Sequence, residues 1–140
     1  NDIVYKNKKV GGILIESKLR TNISIFNIGI GLNVNESNFD FPENIRGNVV
    51  SLKEIKGIPI QREPLLASIL NELNQLINNL DDNYLIEYWI KHCNHINKKV
   101  SFNIDNKKMQ GIFKGVNNTG QAIIKKDNET ITYDNPITIL

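Results

Sequence analysis

From Asp2 to Asn35 apolar and polar residues follow the two-residue period of a β-strand. The runs Ile3–Tyr5 and Val10–Ser17 flank a polar Lys-Asn-Lys-Lys stretch, which predicts a hairpin. A further strand is predicted over Ser24–Val34. Its residues Phe26, Ile28, Ile30 and Leu32 occupy one set of alternating positions, and Ile25, Asn27, Gly29 and Gly31 the other. The first set is expected to face a core. The second is mostly small or polar and leaves room on its face.

The period then changes. Residues 36–60 read as an irregular segment rich in Asn, Gly and Pro, with an apolar island at Val49–Leu52. A loop of this length inside a domain is often functional. From Pro64 to Leu80 the spacing of Leu65, Leu66, Ile69, Leu70, Leu73, Leu76, Ile77 and Leu80 predicts an amphipathic helix, with the proline at its start. A shorter helix follows over Asp82–His92, with Tyr84, Leu85, Tyr88 and Trp89 inward. Beyond Lys99 the pattern becomes short strands (VSFNI, MQGIFKGV, QAIIKK, TITYD, ITIL) separated by turns, the mark of a small β-barrel or sandwich.

The chain has 140 residues, 40% hydrophobic and 23% charged, which suits one ordinary domain or one medium piece with a very small one. A net charge of +2 without a basic cluster gives no footprint for nucleic acid or a membrane surface. The single Cys excludes an internal disulfide framework. No apolar run approaches the ~18–20 residues of a membrane span, and the first residues lack an apolar signal region. A cytoplasmic setting is expected. Asn and Ile together make roughly a third of the chain, so an Asn carries no site signal by type alone.

The strongest local feature is Gly29-x-Gly31-x-Asn33. Glycines on one strand face mark a bulge or the close approach of another body, either a ligand or packed backbone. It is not a dinucleotide fingerprint, because the third glycine opening a helix is absent. Lys8-Lys9 directly precedes Gly11-Gly12. A lysine at a hairpin turn is usually a solvated charge, but here a cation is placed to reach an anionic ligand lying over the glycines. His92, Cys93 and His95 lack the further ligands of a zinc site, and Cys93 lacks an oriented base, so neither a metal site nor a nucleophile is read there.

These features combine into a resemblance. Asn1-Asp2-Ile3, Lys9-Val10-Gly11-Gly12-Ile13-Leu14-Ile15-Glu16 and Ile28-Gly29-Ile30-Gly31-Leu32-Asn33-Val34-Asn35 occur in the order found in biotin protein ligases. Ser51-Leu52, Arg62, the helix to Leu80, Tyr88-Trp89 and Gly111, Gly115 and Gly120 ahead of an apolar strand fit the same family. The resemblance covers essentially the whole chain.

It implies an α+β fold: part of a mixed sheet with helices, like that of class II aminoacyl-tRNA synthetases, followed by a small SH3-like barrel. Residues 1–95 would be the C-terminal half of the catalytic domain and 96–140 the barrel. The implied substrates are biotin and ATP, with Mg2+ accompanying the ATP. The implied reaction forms biotinyl-5′-AMP and passes biotin to a Lys of a carboxylase carrier domain, the biotin carboxyl carrier protein. The resemblance gives Lys9 the catalytic role of holding the biotin carboxyl and the adenylate phosphate. Gly12, Gly29 and Gly31 would form the floor under the ligand, with Ile13 beside it. Asp2 would lie near the nucleotide, Asn33 near the phosphate, and Val49 and Val50 against adenine. The family's Gly/Arg-rich biotin loop has no counterpart here, so this chain alone is expected to be inactive, with an exposed sheet edge that favours association as a homodimer. Nucleic acid would be a partner only through an N-terminal DNA-binding domain. The alternative class is a non-catalytic protein-binding module, or a portion of a biotin-responsive repressor.

Overall fold

A computed structural model describes residues 1–20, 23–79, 81–104, 107–134 and 137–139. Leu80, Leu140 and the expected turn residues Asp105 and Asn106 lie outside the described residues. The chain divides into two compact units, Asn1–Leu73 and Asn74–Leu140.

The first unit opens with a three-stranded antiparallel sheet in the order β1-β2-β3, made of β1 (Asp2–Tyr5), β2 (Lys8–Arg20) and β3 (Ile23–Leu32). The first turn is only Lys6-Asn7, both at positive φ (47° and 65°), the geometry of a tight hairpin turn. Lys8 and Lys9 therefore belong to β2 rather than to the turn. The register of β1 on β2 shifts between Ile3↔Gly11 and Val4↔Lys9, so Val10 is the extra residue of a β-bulge.

The β2–β3 hairpin departs from the expected burial. Phe26, Ile28 and Ile30 are exposed by 63%, 40% and 42%, and only Leu32 of that set is half-buried. Ile13, Ile15 and Leu19 of β2 share their face by register and are exposed as well. Alternation correctly sorts these residues onto one face. Alternation cannot say whether a second layer covers that face, and no described residue buries it. The core of this unit is small: Val10, Val34 and the fully buried Ser51 beside Gly11.

Residues 36–60 are more ordered than their composition suggests. They hold 3-10 turns at Asn38–Asp40 and Arg46–Asn48 and a short helix, α1 (Leu52–Lys56). Ser51 caps α1 reciprocally with Glu54, and Gly57 closes it at φ 76°. Helix α2 (Arg62–Asn78) starts two residues before Pro64, which the first turn tolerates because its N–H groups need no intrahelical partner. Leu65, Ile69 and Leu73 form its half-buried stripe, while Leu66, Leu70, Leu76 and Ile77 are exposed.

In the second unit α3 spans Asp82–His92, the predicted range, capped by Asp81, whose carboxylate accepts from the backbone of Asn83 and Tyr84. Its inward residues are Leu85, Ile86 and Ile90. Tyr84, Tyr88 and Trp89 are exposed instead, and Tyr84, Tyr88 and His92 stack along one helix face. Trp89 still meets Phe113 edge-on at 6.3 Å.

Strands β4 (Lys99–Ile104), β5 (Lys107–Val116), β6 (Ala122–Lys126), β7 (Glu129–Tyr133) and β8 (Thr138–Ile139) form an antiparallel sheet in the order β7-β6-β5-β4-β8. Its core is Val100, Phe102, Phe113, Ala122 and Ile124, with Cys93, Ile96, Met109 and Ile131 packed against it. Among the described residues no helix is long and apolar enough to cross a membrane.

Candidate functional site

The site follows from the bulge. In a regular strand Lys9 and Gly12 would point to opposite faces. The extra residue Val10 reverses the alternation, so Lys9 comes to the face that carries Asp2, Gly12, Gly29 and Gly31. There Lys9 Nζ lies 2.7 Å from Asp2 Oδ1, with both side chains about half exposed. Two more contacts fix the bulged backbone: the N–H of Asn33 donates to the Val10 carbonyl at 2.8 Å, and that of Val50 to the Lys9 carbonyl at 3.0 Å.

An open cavity of about 460 Å³ lies over this face, lined by Asn1, Asp2, Lys9, Gly12, Leu14, Gly29 and Gly31, with Ile13 and Ile30. Ile13 reaches it through its backbone, whose N–H donates to the Asn1 carbonyl at 2.8 Å. Its side chain belongs to the opposite, apolar face by alternation.

The glycines fall into two kinds. A Cβ on Gly11 would run into the Gly31 carbonyl and Leu32, so the chain's own packing requires that glycine. A Cβ on Gly31 would meet nothing within 4 Å, one on Gly29 only the Leu14 carbonyl at 3.8 Å, and one on Gly12 nothing nearer than 3.4 Å. None of these three has the positive φ that would demand glycine. Their smallness keeps the cavity floor flat without serving the packing of the described residues.

Asn33 does not line this cavity. Its Nδ2 donates to the carbonyls of Lys9 and Val50, both at 3.3 Å, and so ties β2 to the segment after the 3-10 turns. Val49 pairs with Lys9 in a parallel bridge. Val49 and Val50 line a second cavity of about 380 Å³ together with Lys8, Asn38, Arg46, Gly47 and Glu54. Arg46 is fastened there through Nε to the Phe41 carbonyl at 2.9 Å. Asp40 receives the backbone N–H of Ser37 at 2.7 Å and its hydroxyl at 2.8 Å, and these bonds hold its carboxyl below the ordinary carboxylate pKa. Thus Asp2, Lys9, Gly12, Ile13, Gly29 and Gly31 meet at one cavity, and Val49 and Val50 at its neighbour. Lys9 joins the two, with its ammonium in the first and its backbone paired to Val49.

The sequence carries no sign of the Val10 bulge, and it names Ser51 and Asn35 only as matching residues, without the roles the structure shows: Ser51 caps α1, and the Asn35 side chain bonds the backbone of Ile60. The Ser51-x-x-Glu54 box ahead of Gly57 was the readable signal for α1. The bulge has no local signature. Among the described residues no group of three or more His, Cys, Asp or Glu is arranged to hold a metal ion. In the second unit His95 stacks on Phe113 at 4.8 Å, with its Nδ1 3.5 Å from Cys93 Sγ. Burial is the main cause that lowers its pKa.

The fold defines a class: the chain has the fold of biotin protein ligases. It superposes over 100% of its length on 59% of the biotin protein ligase from Aquifex aeolicus in complex with biotin and ATP (TM-score 0.79, 22% identity). The apo structure of that protein gives 0.80 over 62%. In sequence the chain is similar to the bifunctional ligase/repressor BirA of Escherichia coli (strain K12), 28% identical over 131 residues, which are 91% of this chain and 40% of the relative. It is also similar to BirA of Bacillus subtilis (strain 168), 37% identical over 71 residues, 50% of this chain and 22% of the relative. The chain is thus a homologue of the BirA-type biotin protein ligases, resembles their C-terminal portion, and spans well under half of the curated relatives' length. No family profile matches it.

Proposed function

We propose that this chain carries the nucleotide-facing part of a biotin protein ligase site. In this reading the complete protein activates biotin with Mg-ATP and transfers it to a Lys of a biotin carboxyl carrier domain. The biotin carboxylate attacks the α-phosphorus of ATP, pyrophosphate leaves, and the carrier amine later displaces AMP from the acyl carbon. Negative charge gathers between carboxylate and phosphate in the first step, and the Lys9 ammonium sits where it would stabilise that charge. Asp2 orients the ammonium in the absence of ligand. Gly12, Gly29 and Gly31 give the flat ligand a floor, Ile13 contributes backbone, Asn33 braces Lys9, and Val49 and Val50 offer an apolar wall to adenine. The sheet of the first unit would be part of a larger sheet like that of class II aminoacyl-tRNA synthetases, and the second unit's strands an SH3-like barrel.

The observation that carries this reading is the set of glycines beside a strand-borne lysine that the chain's own packing leaves unexplained. Calorimetric titration with biotinyl-5′-AMP tests it. Binding is expected for this chain and is expected to be lost in Lys9→Ala and in Gly31→Ala, with both variants folded. Undiminished binding by Gly31→Ala would remove the support. The same lysine variant is expected to abolish biotin-dependent pyrophosphate release in the complete protein. A complete protein without that release would point to the other class, a protein-binding module or a repressor portion, which the uncovered apolar face of the hairpin favours.

A further inference from the structure

Asn35 follows β3 by three residues and bonds both backbone groups of one distant residue. Its Nδ2 donates to the Ile60 carbonyl at 2.8 Å, and its Oδ1 accepts the Ile60 N–H at 2.8 Å. A side-chain amide used this way reproduces a rung of sheet pairing and closes the base of the 36–60 segment. Inside that closure residues 50–53 are stitched to the strand ends. The Ser51 hydroxyl, fully buried, donates to the Glu36 carbonyl at 2.6 Å. The N–H groups of Leu52 and Lys53 donate to the carbonyls of Asn33 and Val34 at 2.9 and 2.8 Å, and that of Val50 to the carbonyl of Lys9.

The outer lobe of the segment does not depend on Asn35. It has its own ties, Ser37 to Asp40 and Arg46 to the Phe41 carbonyl. The Glu36–Arg62 pair crosses the same gap, but at 3.5 Å with Arg62 largely exposed it is a weak brace. Asn33 ties the near end of the inner strip, its Nδ2 bonding the carbonyls of Lys9 and Val50, and Asn35 ties the far end at Ile60, so the two side chains together set where Val49 and Val50 lie against the backbone of Lys9.

We infer that Asn35 is a second positioning residue for base recognition, beside Asn33: by clamping Ile60 it closes the segment whose inner strip carries Val49 and Val50 next to the Lys9 backbone, so that an adenine ring is read next to the phosphate held by the Lys9 ammonium. The inference rests on the function proposed above, and it adds a residue that touches no ligand atom yet governs one half of the ligand and not the other.

The test is an NMR titration of this chain with two probes, AMP and ribose 5-phosphate, which share the phosphate and differ in the base. The chain is expected to bind AMP more tightly, by about tenfold, the scale of a well-placed contact set. Asn35→Ala is expected to bring AMP down to the level of ribose 5-phosphate while leaving ribose 5-phosphate unchanged. Asn35→Asp, which keeps the acceptor for the Ile60 N–H, is expected to lie between, and it serves where the alanine variant does not fold. Lys9→Ala is expected to weaken both probes. If the Asn35 variants lower both probes equally, or leave their ratio unchanged, the inference is overturned while the Lys9 reading stands. If the unaltered chain binds neither probe, the proposed function and the inference fall together.

Discussion

A methyl group at Gly111 would collide with Ile124 Cγ2 and come to 3.0 Å from the Lys125 carbonyl, inside the core of the second unit. Overpacking of this kind costs about 1–3 kcal/mol, so Gly111→Ala is expected to lower the urea midpoint by that amount. Gly31→Ala, with open space at its Cβ, is expected to stay within about 0.5 kcal/mol of the unaltered chain while losing the adenylate. Equal effects of the two on stability would show that something within the chain packs over Gly31. His95 gives a pH signature. Its folded-state pKa is lowered by burial, so the unfolded chain binds the extra proton first as pH falls. Stability is then full above the ordinary histidine range, near 6.5, and is lost as pH drops from there toward the folded-state value. The thermal midpoint of the second unit is expected to fall over that window, and His95→Gln is expected to flatten the curve. An unchanged slope in that variant would assign the loss to other groups.

At the scale of elements, what the sequence showed and what it hid divide along the range of the forces involved. Helix α3 and strands β4 to β7 were legible because each carries its own signal: the Asp81 cap, the helical spacing, and apolar runs broken by turns. That a lysine stands beside glycines able to take an anionic ligand was legible in the residues, whereas the place of Asp2 beside them came only from the resemblance. The bulge that brings Lys9 to that face depends on register with β1, which no single strand encodes. Helix α1 was hidden by the Asn, Gly and Pro around it, although Ser51, Glu54 and Gly57 mark its ends. On α3 the expected inward Leu85 is indeed half-buried, but Tyr84, Tyr88 and Trp89 are exposed, because aromatic residues read as apolar while Ile86 and Ile90 join Leu85 on the half-buried side. Ser51 now carries a local prediction. It caps α1 and also bonds the Glu36 carbonyl, so Ser51→Ala removes a cap and strands a buried acceptor. A loss of about 1–2 kcal/mol is expected. Amide exchange should quicken at Ile55 and Gly57 and stay unchanged across β4 and β5. Faster exchange throughout would mean that α1 is coupled to the whole fold.

For the whole molecule, the imbalance between the two units is the governing fact. The second unit buries Val100, Phe102, Phe113 and Ile124 almost completely, whereas the first leaves the better part of a hairpin face in water. Ile13, Ile15 and Leu19 stand beside Phe26, Ile28 and Ile30 on that face, with only Ser17 and Ser24 interrupting them and no charge among them. Among the described residues strand β3 is also an edge, with a row of backbone groups open to pairing. An apolar surface of this extent is a site of association, and the near-neutral net charge of +2 offers little repulsion between copies. The chain by itself is therefore expected to self-associate, with a sedimentation coefficient that rises with concentration. Ile15→Lys with Phe26→Lys places two ammonium groups in the middle of the face, and is expected to return the chain to a monomer without moving the thermal midpoint of the second unit. A wild-type chain that stays monomeric at NMR concentrations would show that this hairpin tolerates its exposed face. An assembly that survives both lysines would move the contact to the open edge of β3, where backbone pairing rather than apolar burial would hold the copies together.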